Sequence, residues 1–508
     1  MEAFTWWSDE HKALAEDVRE FVNEIMPRAE EAFWERQFPR DIIESIAKEG
    51  YFGAGVPKKY GGMGLGATGA CITIEEFSRL PGAGWIFGAS MLGGWHQVID
   101  FGTEEQKKRF LPRMAKGELG AVAMTEPGVG TDVASIETYA KRQGDKYIIN
   151  GKKRFATGTG AAGRYMLYAR TSDAPEDIRR HRHLTGFIVE KGMPGFTIEK
   201  INEVMGFDNV PNGYMSLIDV PVPIANRIGE EGEGWRVMVL ALNYERALVS
   251  AQVLGSMREA LRAIISYGQR RIQFGKPTID IPTNQFKVAD MLAKLKLARL
   301  ATYYAAQRLD EGKSKDAAVD CSVAKVFGTD AAVELGVEAI QVMGGDGTTK
   351  FYPLQRILNE SKVAQIAGGT NEAIKLTIYR MGLKAMAEDF KMPRRVRHSQ
   401  LGVPITTSDK PKKLAKIDED SLLAVLAEDY RVNPGLYMSL DDIKERFSVG
   451  DAELEKTLLS LESKQLVRLH RKGEVITLAK ATYEGLKKAN PPEYYRWFPP
   501  WVKDEDIF

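Results

Sequence analysis

Between residues 119 and 228 the hydrophobic pattern changes period, and this change constrains the fold more than any other feature of the chain. Upstream, apolar residues recur at helical spacing, as in Leu14, Val18, Phe21 and Val22 behind the capping run Ser8-Asp9-Glu10. Within the interval, short alternating runs are rich in β-branched and aromatic residues: Tyr147-Ile148-Ile149, Tyr165 to Tyr168, Gly186 to Val189, Phe196 to Ile198 and Met215 to Val220. Glycine and asparagine turns such as Asn150-Gly151 separate them. Downstream, the spacing predicts helices over Val237 to Ser266, Asn284 to Glu311, Ala317 to Met343 and Asn371 to Ala387. The pattern therefore predicts an α+β chain. It has a helical N-terminal domain (1–118), an antiparallel β-domain, barrel or sandwich (119–228), and an antiparallel four-helix bundle (229–387).

Two segments follow. Residues 388–415 read as a linker, because Pro393, Pro404 and Pro411 break helix, and Lys391, Arg394, Arg395, Arg397, Lys410, Lys412 and Lys413 make it basic. A solvated tether is the expectation, with a docking strip for an acidic partner as the alternative. Residues 416–508 read as a small accessory domain. Helices are expected over Asp420 to Asp429, Ser439 to Phe447 and Asp451 to Lys464. A hairpin follows, with strands Leu466 to His470 and Glu474 to Leu478, then a helix over Ala481 to Lys488. This order resembles a winged helix. The segment holds 14 Lys/Arg against 18 Asp/Glu, a net of −4, and Asp451, Glu453, Glu455 and Glu462 fall on the helix that would read DNA. Groove reading needs positive charge there. No nucleic-acid partner is expected, and a protein-contact or oligomer-stabilising module is. The aromatics from Tyr494 to Trp501 are expected to dock on this domain's own core or on a neighbouring subunit.

The chain of 508 residues is 44% hydrophobic, enough for several packed cores, and its net charge of +1 excludes a general polyanion binder. Its two cysteines, Cys71 and Cys321, are far apart, which excludes a disulfide scaffold and points to a reducing compartment. The start lacks the basic and apolar pattern of a signal peptide. The most apolar stretch, Val237 to Met257, is interrupted by Asn243-Tyr244-Glu245-Arg246 and is not read as a membrane span. A soluble, cytoplasmic protein without a metal site is expected. The glycine-rich turn from Gly61 to Gly66 has no strand before it, so a structural turn is preferred to a phosphate site.

Chemistry concentrates in separated segments. Met124-Thr125-Glu126-Pro127-Gly128-Val129-Gly130-Thr131-Asp132 offers hydroxyls, backbone N–H groups and glycine turns that let a backbone approach a flat ring or a phosphate. By its residues alone it is equally a structural turn. This segment resembles the acyl-CoA dehydrogenase signature T-E-P-x-x-G-[ST]-D. Ile149 to Thr157 (INGKKRFAT), Arg271 to Lys276 (RIQFGK) and Gln341 to Gly347 (QVMGGDG) resemble three further motifs of that family, in family order, over roughly residues 5 to 386. The helix–barrel–helix order agrees with the family's fold.

The resemblance implies FAD and an acyl-CoA substrate, with an electron-transfer flavoprotein as electron acceptor. By the same resemblance Met124 and Thr125 line the flavin, Phe155 packs on it and Thr157 bonds near its N5 edge. Thr131 touches CoA, Arg271 meets the FAD pyrophosphate, and Phe274 and Gln285 lie beside the cofactor. Gln341 and Gly345 hold the ADP half, and Thr370 and Glu372 complete the site. In the family the second cluster comes from a neighbouring subunit, which implies a homo-oligomer, typically a homotetramer.

Dehydrogenation needs a carboxylate to take the proton alpha to the thioester. Many family members carry it in Y-E-G-T; here the turn reads Ala367-Gly368-Gly369-Thr370, and glycine stands at its position. Glu245 is the only acid between Val237 and Met257, and its neighbours Met238, Leu240, Leu242, Leu248, Val249 and Val253 are apolar. A solvated, paired glutamate is the ordinary fate of such a residue. Among apolar neighbours its pKa should instead rise toward neutrality, making it a stronger base. The isovaleryl-CoA and long-chain subgroup of the family carries its glutamate on this helix, so Glu245 is read as the base. Arg246 then faces the CoA or stabilises the local turn. Ala367 and Gly368 leave room near the reacting carbons, which suggests a branched, cyclic or bulky acyl group in carboxylic-acid degradation, unless Trp85, Trp95 or Met91 fills it. Two departures weaken any detailed account of CoA contacts: Val204 to Asp208 lacks the family's arginine, and Asn359-Glu360-Ser361-Lys362 replaces its R-D-[AS]-[KR] run. Rival readings are a flavin oxidase, monooxygenase or lyase on the same scaffold, and a non-catalytic acyl-CoA-binding regulator.

Overall fold

The computed structural model describes residues 3–312, 314, 316–385, 414, 416–432, 436–447 and 449–490. They belong to two compact units, Met1–Ala385 and Met386–Phe508. In the first, six helices come before the sheet: α1 (Asp9–Trp34), α2 (Arg40–Lys48), α3 (Gly66–Phe77), α4 (Ala83–Leu92), α5 (Trp95–Phe101) and α6 (Glu104–Ala115). Ser8 caps α1 by accepting from the His11 N–H, and Leu14, Val18, Val22 and Ile25 are buried as their spacing predicts. Thr103 and Gln106 form a reciprocal capping box at α6. The glycine turn before α3 is structural. The Asp310 carboxylate accepts from the N–H groups of Ala67 at 2.5 Å and Thr68 at 3.0 Å, so a side chain already occupies this helix start.

The middle sheet has β1 (Gly120–Ala123), β2 (Tyr139–Gln143), β3 (Lys146–Thr157), β4 (Arg164–Arg170), β5 (Leu184–Glu190), β6 (Phe196–Ile201), β7 (Asn212–Pro223) and β8 (Arg227–Ile228), with the short helix α7 (Pro175–Arg179) between β4 and β5. Its order is β6-β7-β3-β2-β4-β5-β8, and β1 pairs with β4. The expected all-antiparallel sheet is in fact mixed, because β1 and β2 both run parallel to β4. The β2–β3 hairpin intervenes between β1 and β4, and such a crossover produces parallel pairing. Tyr165, Leu167 and Ala169 of β4 join the sheet's own core with Tyr147 and Phe187. Met166 and Tyr168, alternate residues on the same strand, face the helical core instead.

After the sheet come α8 (Gly234–Arg270), a small hairpin of β9 (Ile272–Gln273) and β10 (Lys276–Pro277), then α9 (Pro282–Asp310), α10 (Ala318–Met343), α11 (Leu354–Ile366) and α12 (Asn371–Ala385). The expected four helices are five. The segment that forms α11 buries Arg356 and Glu360 as an i,i+4 ion pair, which an apolar periodicity does not reveal. By length and composition α8 passes as a membrane crosser, yet 67% of its most apolar window is buried inside the protein. α8, α9 and α10 pack on one another, and α3 packs against α8 and α9.

The second unit contains α13 (Glu419–Val432), β11 (Met438–Ser439), α14 (Leu440–Arg446), α15 (Asp451–Ser463), β12 (Val467–Lys472), β13 (Val475–Ala481) and α16 (Tyr483–Ala489). The strands form an antiparallel sheet in the order β11-β13-β12. Leu422, Leu426, Ile443, Leu458 and Ile476 belong to a core of its own. The basic linker, apart from Leu414, and the aromatic tail lie outside the described residues.

Candidate active site

The loop after β1 is fastened to β3. Lys153, with no exposed surface, donates to Glu126 Oε1 at 2.8 Å and to the Met124 carbonyl at 3.1 Å. Burial lowers its ammonium to about 8, and Glu126 opposes the shift. Glu126 also accepts from the N–H groups of Glu137 and Thr138, and Arg154 N donates to the Thr125 carbonyl at 2.8 Å. Two residues on, the β3–β7 register slips between Lys153 and Ala156. Phe155 lies in that slip at φ +59° with its ring 48% exposed. A left-handed aromatic residue is strained, and such strain gathers at functional sites. Asn212 Nδ2 donates to the Phe155 carbonyl and to Thr157 Oγ1, which leaves the Thr157 O–H free to donate. Met124, Thr125, Phe155 and Thr157 are thus brought together, and Thr131 is exposed on the same loop.

Glu245 stands a third of the way along α8. Loss of hydration pushes its carboxyl up to about 7, with Arg246 and Lys325 opposing. The turn between α11 and α12 lies against it. A Cβ built on Gly368 would sit 3.5 Å from both Glu245 Cγ and Oε1, so the two sequence positions meet in space. Gly368 and Gly369 hold φ +69° and +97°, and this turn is open to residues without a side chain. Arg246 points into the protein, donating to Ser322 Oγ on α10 at 3.1 Å. Thr370 Oγ1 accepts from Ala373 N at the start of α12, close to Glu372. Glu245 itself occupies part of the space facing Gly368. Trp95 packs edge-on to Tyr244 at 5.9 Å, whereas Trp85 packs on Phe207. Sequence reasoning missed Lys325, whose Nζ binds the turn. It is the only charged residue from Cys321 to Thr329, the same signal that singled out Glu245.

Arg271, Phe274, Gln285, Gln341 and Gly345 lie elsewhere. Arg271 follows Glu245 by 26 residues, about 39 Å at the helical rise. It is exposed, with no ion-pair partner among the described residues. Tyr267, one turn earlier, donates to Asp346 Oδ2 at 2.5 Å, which brings the 341–346 turn to the same end of α8. Phe274 has φ +53° and is 93% exposed. An unpaired guanidinium, a presented aromatic ring and a free threonine O–H fit the pyrophosphate and ring of FAD. Among the described residues no group of three His, Cys, Asp or Glu is placed to hold a metal.

Helical, sheet and helical segments, a desolvated carboxylate and two FAD-compatible clusters define a flavin-dependent oxidoreductase. Residues 8–118, 121–220 and 232–383 match the models of the acyl-CoA dehydrogenase N-terminal, middle and C-terminal domains. An acyl-CoA dehydrogenase of Bacillus subtilis (strain 168) is 38% identical over 73% of this chain and 97% of its own length. Mitochondrial isovaleryl-CoA dehydrogenase of Oryza sativa subsp. japonica is 34% identical over 74% and 91%. The structure of butyryl-CoA dehydrogenase from Megasphaera elsdenii is 32% identical, with a TM-score of 0.71 over 75% of this chain and all of that one. The chain belongs to the acyl-CoA dehydrogenase family. It is an enzyme whose activity is the FAD-dependent dehydrogenation of an acyl-CoA.

Proposed function

We propose that Glu245 is the base of an α,β-dehydrogenation that yields a 2-enoyl-CoA. The observation that carries this reading is its desolvated carboxylate facing Gly368, which stands where many relatives carry the acid. Bound FAD supplies the hydride acceptor. Met124, Thr125, Phe155, Thr157, Thr370 and Glu372 would hold the reacting end of the cofactor. Arg271, Phe274, Gln285, Gln341 and Gly345 would hold its distal half. Glu245 takes the alpha proton, and its partial burial among the apolar residues of α8 raises its basicity. Thr131 is assigned to the CoA by family resemblance, Arg246, turned to Ser322, is assigned to the local packing, and electrons are assigned to an electron-transfer flavoprotein by family resemblance.

Ala367, Gly368 and Gly369 present no side chain larger than methyl, which supports an acyl group branched, cyclic or bulky near the reacting carbons. Activity across isovaleryl-, cyclohexanecarbonyl- and butyryl-CoA checks this, and a clear preference for unbranched butyryl-CoA would overturn it. The separation of Arg271 from Glu245, about 39 Å along α8 at the helical rise, supports a homo-oligomer, a tetramer by resemblance, in which each cofactor spans two copies; sedimentation at micromolar concentration tests it. The buried free thiols of Cys71 and Cys321 support a reducing, cytoplasmic setting, which cell fractionation checks. The sheet core of Tyr147, Tyr165 and Phe187 supports a sheet curled as a barrel, and the helix and strand order of the second unit supports a winged-helix-like module; an experimental structure tests both. Segments 1–118, 119–228 and 229–387 are proposed as the domains, with 388–415 as linker and 416–508 as accessory module; limited proteolysis that cuts elsewhere first would overturn these bounds.

The direct experiment is Glu245→Gln. It should retain FAD and lose turnover by about a hundredfold or more. A variant that binds FAD and turns over near the wild-type rate would falsify the assignment.

A further inference from the structure

We propose that Lys325 is a positioning residue for proton abstraction: it closes the turn between α11 and α12 onto α10, fixes how that turn faces Glu245, and adds a positive charge to the surroundings of that carboxylate. The proposal rests on the reading of Glu245 as base.

Lys325 has no exposed surface. Its Nζ donates to the Gln365 carbonyl at 2.9 Å, the Gly369 carbonyl at 2.8 Å and Asn371 Oδ1 at 2.7 Å. A neutral amine has two N–H bonds and would turn its lone pair toward the third oxygen, so three acceptors select the ammonium. Those oxygens come from the end of α11, the glycine turn and the first residue of α12, and one side chain therefore closes the whole loop. Asn371 stiffens the closure by donating to Thr329 Oγ1 at 2.9 Å and Asp330 Oδ1 at 2.6 Å. Gly368 lies inside this loop, 3.5 Å from the Glu245 carboxylate as measured from its absent Cβ. A displaced loop changes the space in which the carboxylate and the acyl group meet.

Burying an ammonium is costly. Its charge is offset by the nearby Glu245 carboxylate, which acts on it electrostatically. The charged and titratable groups around the pair are Arg246 from α8, Asp330 from α10, Glu372 from α12 and Tyr168 from β4. Asp330 is taken up by Lys375 at 3.3 Å and by Asn371 and Gln365, and Arg246 is engaged with Ser322. Burial pushes Glu245 up and Lys325 down, and each one's charge opposes the other's shift. Without the cation, Glu245 keeps its proton to higher pH and the acid limb of kcat/KM moves up.

The test compares full-length, FAD-loaded Lys325→Met, Lys325→Gln and Lys325→Arg with wild type, using the fastest of isovaleryl-, cyclohexanecarbonyl- and butyryl-CoA with a dye acceptor. The neutral variants should move the acid limb up by about one unit or more. That shift alone lowers the pH 7 rate about fivefold, and any loss left on the alkaline plateau reports the displaced loop. Lys325→Arg should return the limb toward the wild-type pH. Neutral variants that hold FAD with an unmoved limb overturn the proposal. If Glu245→Gln stays active, the base reading itself falls; if that variant is inactive while the limb stays put, only the role of Lys325 falls. Should neither neutral variant hold FAD, Asn371→Ser loosens the same closure with the charge retained. It should lower the plateau rate without moving the limb, and an unchanged plateau overturns the proposal.

Discussion

Glu245 couples activity and stability with opposite signs. Its carboxyl, pushed up to about 7 by desolvation, holds a proton between the unfolded value and neutrality that the unfolded chain releases. The folded state binds more protons in that window, so its stability falls as pH rises from about 4.5 through 7. As the proposed base, Glu245 must be ionised to act, so kcat/KM should rise through about pH 7 as stability declines. Glu245→Gln should consequently melt at a higher temperature than wild type at pH 8 and at nearly the same temperature at pH 4. Thermal melts of the two proteins at both pH values check this, and equal midpoints at pH 8 would contradict the desolvation argument.

At the scale of elements, the bundle is keyed by charge as well as by apolar faces. Glu75 of α3 accepts from Arg299 Nε at 2.9 Å and Tyr303 Oη at 2.6 Å on α9, and from Arg258 on α8 at 3.1 Å. Burial alone would raise its carboxyl, but Arg299 and Arg258 hold it below the usual range. Removing it with Glu75→Ala takes away the carboxylate shared by Arg299, Tyr303 and Arg258, although Arg258 keeps Glu76 at 2.7 Å, and should cost about 3–5 kcal/mol, read from chemical denaturation. A loss within the range of a surface ion pair would show that the arginines find other partners. This keying explains what the sequence conceals. Helix spacing exposes α1, α8 and α10, whereas α11 hides behind its buried Arg356–Glu360 pair. The parallel pairing of β1 and β2 with β4 joins distant residues, and no local alternation reports it. Glu245 was legible as an isolated acid in an apolar run; Lys325 carried the same signal with the opposite sign, but its partners are carbonyls of a distant turn.

At the scale of the whole molecule, residues 3–385 and the second unit bury separate hydrophobic cores. Every residue assigned to FAD, CoA or proton transfer belongs to the first. A chain ending after Ala385 should therefore keep its flavin absorbance and its turnover within about twofold, since independent sites contribute additively. Loss of bound FAD in the truncated protein would show that the second unit supports the site, by contact or by assembly.

The proposed base stands on a rod, and Ala367, Gly368 and Gly369 opposite it carry nothing larger than a methyl group. A base in a loop would have to move whenever that loop is altered to admit a different acyl group. Here the chemistry is anchored in α8, and the shape of the entrance is written in Ala367, Gly368 and Gly369. Mutation can therefore explore new substrates at the turn without first surrendering the reaction, which leaves this architecture open to evolutionary drift in specificity.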